Sequence, residues 1–322
     1  MDPVRPGIGL TALVTPGSPP SGAPENAQPL APALTAQLEQ VVQLWRGKKF
    51  VLLTGAGLST DSGIPDYRGP TSVPRNPLTY QEFVGDAQLR QRYWARNHMG
   101  WQFMRQAVPN GGHFAATVLE GYGLLSGIIT QNVDRLHEDA GAVNVVDLHG
   151  RFDRVACLQC GTTFSRIFVA TLLSDANPEF LDAVARAGGV SMGPDADSDL
   201  DHEVLIASFN VPACPVCNGM LKPDFVFFGE NVPKDRVERS FAMVEEAAGI
   251  VVAGSSLTVM SGLRFVKKAA KDGKHVIIIN RGATRGDELA NVKIEAGVSE
   301  AMTHVTYALR PRLAQPPKHR VQ

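Results

Sequence analysis

The sequence has no excess of charge of either sign, because 31 Lys and Arg residues balance 32 Asp and Glu residues for a formal net charge of -1. This balance argues against a surface for nucleic acid or for an acidic membrane. No apolar run approaches the roughly 18 residues of a membrane span. The first residues also lack the charged and then apolar layout of a signal peptide. We therefore expect a cytoplasmic protein without nucleic-acid or membrane partners.

Cysteine is scarce, and none of the four cysteines lies outside two Cys-x-x-Cys pairs. In a reducing compartment such pairs favour zinc over disulfides. Two thiolates at this spacing can occupy adjacent corners of a tetrahedron, and a second pair completes it. Four thiolates leave no open coordination position, so the expected metal is structural; a redox role for one pair is the alternative. The predicted ligands are Cys157, Cys160, Cys214 and Cys217.

A glycine-rich loop follows the strand-like residues 50–54, but two parts of the usual dinucleotide fingerprint are missing. Gly55-Ala56-Gly57 would let backbone N–H groups approach a pyrophosphate at a helix N-terminus. Thr60 stands where the third glycine would be, and no acidic residue follows about 20 residues later at a second strand end. These gaps count against an ordinary NAD dehydrogenase. A tight strand-to-helix turn is the alternative.

Short β-branched segments alternate with helical patterns along most of the chain. This alternation predicts an α/β fold with a doubly wound parallel sheet, Rossmann-like, into which a smaller zinc-binding module is inserted. Binding residues should gather where strands end, and Gly55, Gln131, Gly254 and Asn280 all follow predicted strands. The predicted strands cover 50–54, 127–130, 143–147, 250–253, 275–280 and 305–308, and the predicted helices include 34–45, 237–248 and 263–272.

The chain divides into a core fold, two insertions and two tails. Composition rich in Pro, Gly and Ala predicts a disordered N-terminal tail, and the last residues form a basic tail. A Pro- and Gly-rich connection after a phosphate loop is a natural lid over a ligand. The predicted segments are the tail 1–33, the Rossmann-like NAD-binding domain 34–150 and 225–310, its cofactor loop and helical insertion 64–120, the zinc-binding module with a long insert 151–224, and the tail 311–322.

His149 lies at the end of an apolar strand-like segment and directly before Gly150. A histidine at such a position is more often a structural hydrogen-bonding group. Its near-neutral reference pKa nevertheless makes it the natural general base if a substrate hydroxyl lies beside it.

Several uncommon motifs in a fixed order resemble the sirtuins, which are NAD-dependent protein-lysine deacylases. The resemblance covers roughly residues 35–310. Its motifs are Gly55-Ala56-Gly57-Leu58-Ser59, Gly63-Ile64-Pro65-Asp66-Tyr67-Arg68, Gln131-Asn132-Val133-Asp134, Leu148-His149-Gly150, the two cysteine pairs, Phe227-Phe228-Gly229-Glu230, Gly254-Ser255-Ser256-Leu257 and Ile279-Asn280. Details are similar to the class II, mitochondrial-type branch: Tyr67 where most sirtuins carry Phe, the residues 90–97, the Gly254-Ser255-Ser256 form and the long insert between the cysteine pairs.

The resemblance implies that NAD is consumed: nicotinamide leaves, and the remaining ADP-ribose accepts the acyl group. It also implies that zinc is bound structurally. His149 would act as the general base, and Asp134 would hold the nicotinamide carboxamide with the backbone near Ile64. The implied catalytic residues are His149, Asn132 and Asp134. The implied contacts with NAD are Gly55, Ala56, Gly57, Ser59, Ile64, Asp66, Tyr67, Arg68, Gln131, Asn132, Asp134, Gly254, Ser255, Ser256, Asn280, Arg281, Gly282 and Val298.

The partners implied by the resemblance are acylated lysine side chains of proteins. Residues 226–230 would offer an edge for the substrate peptide, with a core strand as the alternative. Tyr93 and Arg96 share a helix face at i, i+3, and this pattern resembles that of sirtuins removing acidic acyl groups; a packed Tyr and a solvated Arg is the alternative. The implied substrate-binding residues are Tyr93, Arg96, Val226, Phe227, Phe228, Gly229 and Glu230.

Other functional classes stay open at this point. Protein mono-ADP-ribosyl transfer would use the same NAD site, with a protein nucleophile attacking the ribose. A zinc-stabilised NAD sensor without catalysis is disfavoured because His149, Asn132 and Asp134 are intact. A zinc-ribbon nucleic-acid binder is disfavoured by the balanced charge.

Overall fold

Strands and helices alternate along the chain in the computed structural model, which describes residues 31–67, 77–187, 198 and 200–311. The strands are β1 (Phe50–Thr54), β2 (Leu125–Thr130), β3 (Val145–Asp147), β4 (Gly150–Cys157), β5 (Thr163–Ser165), β6 (Leu221–Phe225), β7 (Gly249–Ala253), β8 (His275–Ile279) and β9 (Val292–Ile294). The α-helices are α1 (Pro32–Trp45), α2 (Tyr80–Gly85), α3 (Ala87–Met104), α4 (Gly111–Gly121), α5 (Leu136–Asp139), α6 (Arg166–Ala176), α7 (Phe180–Arg186), α8 (Glu203–Ala207), α9 (Lys234–Glu246), α10 (Met260–Lys271) and α11 (Val298–Leu309).

Six strands form one parallel sheet in the order β3-β2-β1-β7-β8-β9. The strand order reverses between β1 and β7, which are hydrogen-bonded neighbours. In open α/β sheets the crevice at such a reversal, outside the carboxyl ends of the strands, is where ligands bind. The predicted doubly wound, Rossmann-like sheet is confirmed, and its topology places the loops after β1 and β7 side by side.

Both faces of this sheet are covered by helices. Phe50 and Leu52 point into a core shared with α1, α4 and α11, whereas Val51 and Leu53 point into a core shared with α9 and α10. All five residues of β1 are buried. Burial on both faces explains why the central strands are continuous apolar runs instead of alternating ones.

A second body is built on the three-stranded antiparallel sheet β5-β4-β6. Its apolar core joins Phe152 and Leu221 of this sheet to residues of α2 and α3, such as Phe83 and Trp94. The helices of the 64–120 segment therefore divide: α2 and α3 pack with the inserted module, and α4 packs on the large sheet through Ala116. The module and the earlier helical insertion share one core.

The sequence misassigned one predicted strand and missed four, namely β4, β5 and β6 of the antiparallel sheet and β9 of the large sheet. The strand predicted over 305–308 is wrong, because these residues lie in α11, whose buried side chains include Val298, Ala301, Val305 and Leu309 at helical spacing. The sixth strand of the large sheet is instead β9, three residues long. Predictions for residues 1–30, 68–76, 188–197, 199 and 312–322 lie outside the described residues, so the disordered-tail and lid predictions stay predictions.

Within the described part of the chain, none of the helices combines the length and the apolar character needed to cross a bilayer.

Candidate functional site

Two glycine loops meet at the strand-order reversal. Gly57 N donates to Gly254 O at 2.9 Å, and Gly254 N donates to Ile279 O at 2.9 Å. Gly254 has φ +69°, and a Cβ there would lie 2.4 Å from the backbone nitrogen of Leu58. A side chain cannot be inserted at this contact without separating the loops. The glycines thus let the loops after β1 and β7 pack backbone against backbone at the carboxyl edge of the sheet, and phosphate binding by the first loop stays a prediction.

Buried polar groups form a network beneath these loops. Ser59 Oγ donates to Asp134 Oδ2 at 2.6 Å, and Asn132 Nδ2 donates to Ser59 Oγ at 3.0 Å and to Gly55 O at 3.1 Å. Asp134 also accepts from Leu136 N–H at 3.0 Å. Burial raises the pKa of Asp134, while its bonds with Ser59 and the Leu136 backbone act in the opposite direction. The network fixes three of the predicted site residues in one place.

His149 stands beside this network, between β3 and β4. Its Nε2 lies 2.7 Å from Ser261 Oγ, at the start of α10. Burial lowers the pKa of His149 to about 4, against a smaller upward effect of a hydrogen bond with the Gln131 backbone. The imidazole is therefore neutral at pH 7, and its Nε2 can accept a proton once it is released from Ser261.

One cavity of about 610 Å³ joins these groups. Its polar end is lined by the two glycine loops, by Asn280 and by the cations Arg264 and Arg281. Its other end is apolar and aromatic, with Leu78, Tyr93, Phe225, Phe227 and Phe228 in its lining. His149 lines the same cavity, which therefore gives one half-buried base access to both a polar and an aromatic compartment.

The structure brings almost all of the predicted cofactor and substrate residues to this cavity. Three predicted residues are exceptions. Val298 begins α11 and lies in the apolar core on one face of the sheet, and Arg96 of α3 is not among the lining residues, although Tyr93 is. Arg68 falls outside the described residues. The roles assigned to these three residues therefore stay predictions.

Residues 226–230 line the cavity and have no regular strand assigned to them, and their use as an edge for the substrate peptide stays a prediction. Strand β6 ends at Phe225, and Phe228 makes an isolated parallel bridge with Thr79. The carbonyl of Phe228 accepts from Tyr80 N–H at 2.9 Å. Glu230 accepts from Phe227 N–H at 2.8 Å and pairs with Lys222 at 3.0 Å. The alternative, a core strand, is not formed.

Sequence reasoning missed several residues of the site. Ser261, the hydrogen-bond partner of His149, belongs to no recognisable motif and reaches the site because α10 begins there. Arg264 lies one helical turn after Ser261 and lines the same cavity. The i, i+3 spacing of these two residues is the one sequence signal that could have identified them together. Phe225 adjoins the predicted segment 226–230, whereas Leu78 lies next to no motif that the sequence identified.

Four sulfur atoms converge at one end of the antiparallel sheet. Cys157 Sγ and Cys217 Sγ are 3.5 Å apart, Cys160 Sγ and Cys214 Sγ are 3.9 Å apart, and all four lie within 4.8 Å of one another. Tetrahedral zinc with Zn–S bonds of about 2.3 Å separates its sulfurs by about 3.8 Å. The donor set therefore fits one structural zinc ion, and its position outside the cavity lining excludes these cysteines from the chemistry there.

A sequence model described as the Sir2 family matches residues 55–261, the span from the first glycine loop to Ser261. The chain belongs to the Sir2 family.

Named relatives within this family are similar over most of the chain. The NAD-dependent protein deacetylase 1 of Mycobacterium avium (strain 104) is 50% identical over 276 residues, which cover 86% of this chain and 97% of the relative. The NAD-dependent protein deacetylase 1 of Streptomyces coelicolor is 48% identical over 284 residues, 88% of this chain and 93% of the relative. The NAD-dependent protein deacylase SIR4 of Batrachochytrium dendrobatidis is 44% identical over 273 residues, 81% of this chain and 90% of the relative.

Solved Sir2 structures share the fold. A structure described as Sir2-p53 peptide-NAD+ superposes with a TM-score of 0.65 at 30% identity and covers 84% of this chain and 97% of that one. A Sir2 structure bound to a propionylated peptide gives a TM-score of 0.64 at 28% identity, with 84% and 97% covered. The sirtuin family predicted from the motifs is confirmed, and the finer assignment to class II stays a prediction.

Proposed function

We propose that this protein removes acyl groups from lysine side chains of proteins, consuming NAD and producing nicotinamide and O-acyl-ADP-ribose. One observation carries the proposal: a neutral, half-buried His149 lies where a polar, glycine-walled compartment meets an aromatic one in a single cavity. A reaction between an anionic dinucleotide and an apolar acyl-lysine chain needs this arrangement of surfaces.

The polar compartment suits NAD. Gly55, Gly57 and Gly254 let the two loops pack backbone to backbone in the wall of the cavity, and Arg264 and Arg281 add positive charge that suits a pyrophosphate. The carboxylate of Asp134 is turned into its network with Ser59, where it does not repel phosphate. When bound, NAD supplies a ribose carbon that becomes electrophilic as nicotinamide departs.

The aromatic compartment suits the modified lysine. The stem of a lysine side chain and a short acyl group are apolar, and their transfer from water to contacts with Tyr93, Phe227 and Phe228 is favourable. Tyr67 reaches the same wall, with its ring centroid 6.2 Å from that of Phe228 in an edge-on contact. Burial of the acyl group in this compartment also keeps water away from its weakly nucleophilic oxygen before the reaction.

His149 accepts the proton in this mechanism. Its pKa of about 4 keeps Nε2 unprotonated at neutral pH, so a ribose hydroxyl placed there can give up its proton and attack the acyl carbon. Asn132 is held by Ser59 and Gly55, so it contributes a fixed amide beside the reacting groups. Fixed orientation of this kind lowers the entropic part of the barrier.

Relatives support the same activity. The curated proteins at 50% and 48% identity are named NAD-dependent protein deacetylases, and the similar solved structures include Sir2 with peptide and NAD. The experiment that tests the proposal is release of nicotinamide from NAD with acetyl-, propionyl- and glutaryl-lysine peptides, with the co-product identified by mass spectrometry. Nicotinamide release without O-acyl-ADP-ribose, and with ADP-ribose attached to protein, would favour mono-ADP-ribosyl transfer instead.

Two finer points belong to the proposal. An acidic acyl preference rests on the Tyr-x-x-Arg pattern, and the position of Arg96 outside the cavity lining weakens it; the peptide series above tests it directly. A cytoplasmic location is supported by four cysteines that are free and grouped for zinc, as expected in a reducing compartment.

A further inference from the structure

The contact between Ser261 and His149 has the geometry of a nucleophile and its base. Ser261 Oγ lies 2.7 Å from His149 Nε2. A hydroxyl can pass its proton to an imidazole over a separation of about 2.6–3.2 Å. Both residues line the cavity and both are half-buried, so a ligand in the cavity can reach them. In the deacylation proposed above, His149 takes a proton from a ribose hydroxyl, and Ser261 forms no bond to the substrate.

The other ring nitrogen of His149 fixes the direction of this hydrogen bond. The bond between the imidazole and the Gln131 backbone raises the pKa of His149, so the ring donates there to the carbonyl oxygen. In the neutral ring Nε2 is then the acceptor, and the hydroxyl of Ser261 donates to it. A histidine activates a serine in this tautomer, and the Gln131 carbonyl holds the ring as a carboxylate does in a catalytic triad.

Donors that can stabilise an oxyanion lie beside Ser261. It is the second residue of α10, and the first N–H groups of a helix have no partner within the helix. A Cβ on the next residue, Gly262, would lie 2.8 Å from Gln131 Nε2, so the side-chain amide of Gln131 lies against the turn that carries Ser261. The Oε1 of Gln131 accepts from Ser255 Oγ, which leaves its N–H₂ group to donate. Backbone and amide donors of these kinds form oxyanion holes.

We propose that Ser261 and His149 are a serine–histidine pair that hydrolyses carboxylic esters, and that its substrate is the O-acyl-ADP-ribose formed in the same cavity. This inference rests on the deacylase function proposed above. The ester is formed beside His149, and Ser261 Oγ is one hydrogen bond away from that imidazole. The acyl carbon therefore arises next to the serine, and the protein releases free carboxylic acid and ADP-ribose in addition to the ester.

The hydrolysis consists of two acyl transfers. In the first, Ser261 Oγ bonds to the ester carbon while its proton moves to His149 Nε2. The bond from that carbon to the ribose oxygen then breaks, and the ribose oxygen takes the proton from His149. In the second, water gives a proton to His149 and its oxygen to the acyl carbon, and Ser261 leaves with the proton. One ester and one water become one carboxylic acid and one ADP-ribose.

The low pKa of His149 limits the expected rate. Burial lowers it to about 4, so the imidazolium formed in each transfer is less stable than in water. General-base assistance contributes about 10²–10⁴-fold, and a base with such a low pKa belongs at the lower end of this range. We therefore expect a slow hydrolysis that is about 10²-fold faster in the wild type than in a variant without the Ser261 hydroxyl.

The first test is hydrolysis of purified O-acetyl-ADP-ribose by the full-length, zinc-loaded protein without NAD or peptide. Formation of ADP-ribose, followed by liquid chromatography, should exceed the spontaneous rate, and Ser261→Ala should lower it about 10²-fold. The loss of nicotinamide release with an acetyl-lysine peptide should be at least tenfold smaller than this loss of ester hydrolysis. A serine that only positions His149 would slow both reactions by the same factor, and that result would overturn the inference.

A covalent label separates a nucleophile from a positioning group. Phenylmethylsulfonyl fluoride forms a stable ester with a serine that a histidine activates, so peptide mapping by mass spectrometry should find the label on Ser261. His149→Ala should lose both the label and the ester hydrolysis. Ser261→Cys keeps a nucleophile and should retain ester hydrolysis above that of Ser261→Ala. Ser174→Ala removes an exposed serine of α6 outside the cavity lining and should behave as the wild type in both assays.

The inference and the proposed function fail in different ways. A protein that releases nicotinamide but hydrolyses no O-acetyl-ADP-ribose above the spontaneous rate would overturn the serine–histidine pair and leave the deacylase function standing. Absence of nicotinamide release with every acyl-peptide would overturn the deacylase function, and hydrolysis of the added ester would still test the pair. Ser261→Gly replaces Ser261→Ala if that variant does not fold.

Discussion

His149 Nε2 lies 2.7 Å from Ser261 Oγ, so the proposed base is held by a hydroxyl from a helix that begins 112 residues later in the chain. The ring must release this partner before it can accept a proton from substrate. The hydrogen bond with Ser261 therefore holds His149 in place, and its release makes the imidazole available as a base.

His149→Ala should abolish most turnover, because no other neutral imidazole lines the described part of the cavity. General-base assistance contributes about 10²–10⁴-fold, which is the expected loss in kcat. Steady-state kinetics with an acetyl-lysine peptide measure it, and zinc content should stay at one ion per chain. Near-normal turnover in this variant would remove His149 from its proposed role.

Ser261→Ala should keep activity within about tenfold but shift its pH dependence. With the other ring nitrogen bonded to the Gln131 backbone, Nε2 accepts from the Ser261 hydroxyl, a bond that favours the neutral ring; we therefore expect the pKa of His149, about 4 in the wild type, to rise when this donor is removed. A base must be unprotonated, so activity is lost as the pH falls through this pKa. The acidic limb of kcat/KM should move to higher pH in the variant. Superimposable pH profiles of the two proteins would contradict the prediction.

Gly254→Ala should weaken NAD binding more than backbone strain alone explains. The new Cβ would lie 2.4 Å from the Leu58 nitrogen, so the two glycine loops must separate. Gly273→Ala is the matched control, since Gly273 has nearly the same φ, +68° against +69°, with nothing within 4 Å. Both lose about 1–2 kcal/mol to the left-handed conformation. Calorimetric titration with NAD should show reduced affinity for Gly254→Ala alone; equal affinities of the two variants would refute the role of close approach.

Removal of zinc should unfold the antiparallel sheet β4–β6 and expose all four thiols. Cys217→Ser leaves three thiolates where tetrahedral zinc needs four, so zinc content and thermal stability should both fall. Thiol titration after chelation should count four reactive groups, because the chain has no other cysteine. Full activity of a zinc-free protein would show that the large sheet does not depend on the module.

Acid should destabilise the protein partly through His98, which is buried beside the rings of Phe180 and Phe209. Burial, aided by the charge of Arg166, lowers its pKa from 6.5 to about 4. The unfolded state then binds more protons between these values, so the free energy of unfolding falls as the pH falls through this window. Between pH 7.5 and 5 the loss due to His98 is about 2 kcal/mol.

Urea unfolding of His98→Phe at both pH values measures this effect. The variant should lose less stability on acidification than the wild type, whereas His202→Gln, at an exposed site, should behave like the wild type. Equal pH dependence in His98→Phe would show that the ring is not the group that takes up the proton.

The sequence predicted the large sheet well because its strands are buried on both faces and read as apolar runs. It failed at 305–308, where β-branched residues fall on the buried face of α11 and tertiary packing overrides their strand preference. It also failed at β9, which has only three residues. Strand preference is a weak signal in segments this short.

Motifs predicted the glycine loops, the base and the metal ligands, since each is a local pattern. Ser261 was beyond reach, because its importance depends on a partner 112 residues away. Val298 is the opposite case, because the resemblance placed it in the NAD site and the structure buries its side chain in the apolar core.

The shared core of α2, α3 and the zinc-bearing sheet has a consequence for how the chain can be divided. The polypeptide leaves the large sheet after β1, returns at α4, leaves again at β4 and returns at α9. Four covalent crossings join the two bodies, so any relative hinge motion must bend all of them together. Deletion of residues 151–224 would expose the apolar side of α3 to water. We expect the truncated protein to aggregate and not to form an independent dinucleotide-binding domain.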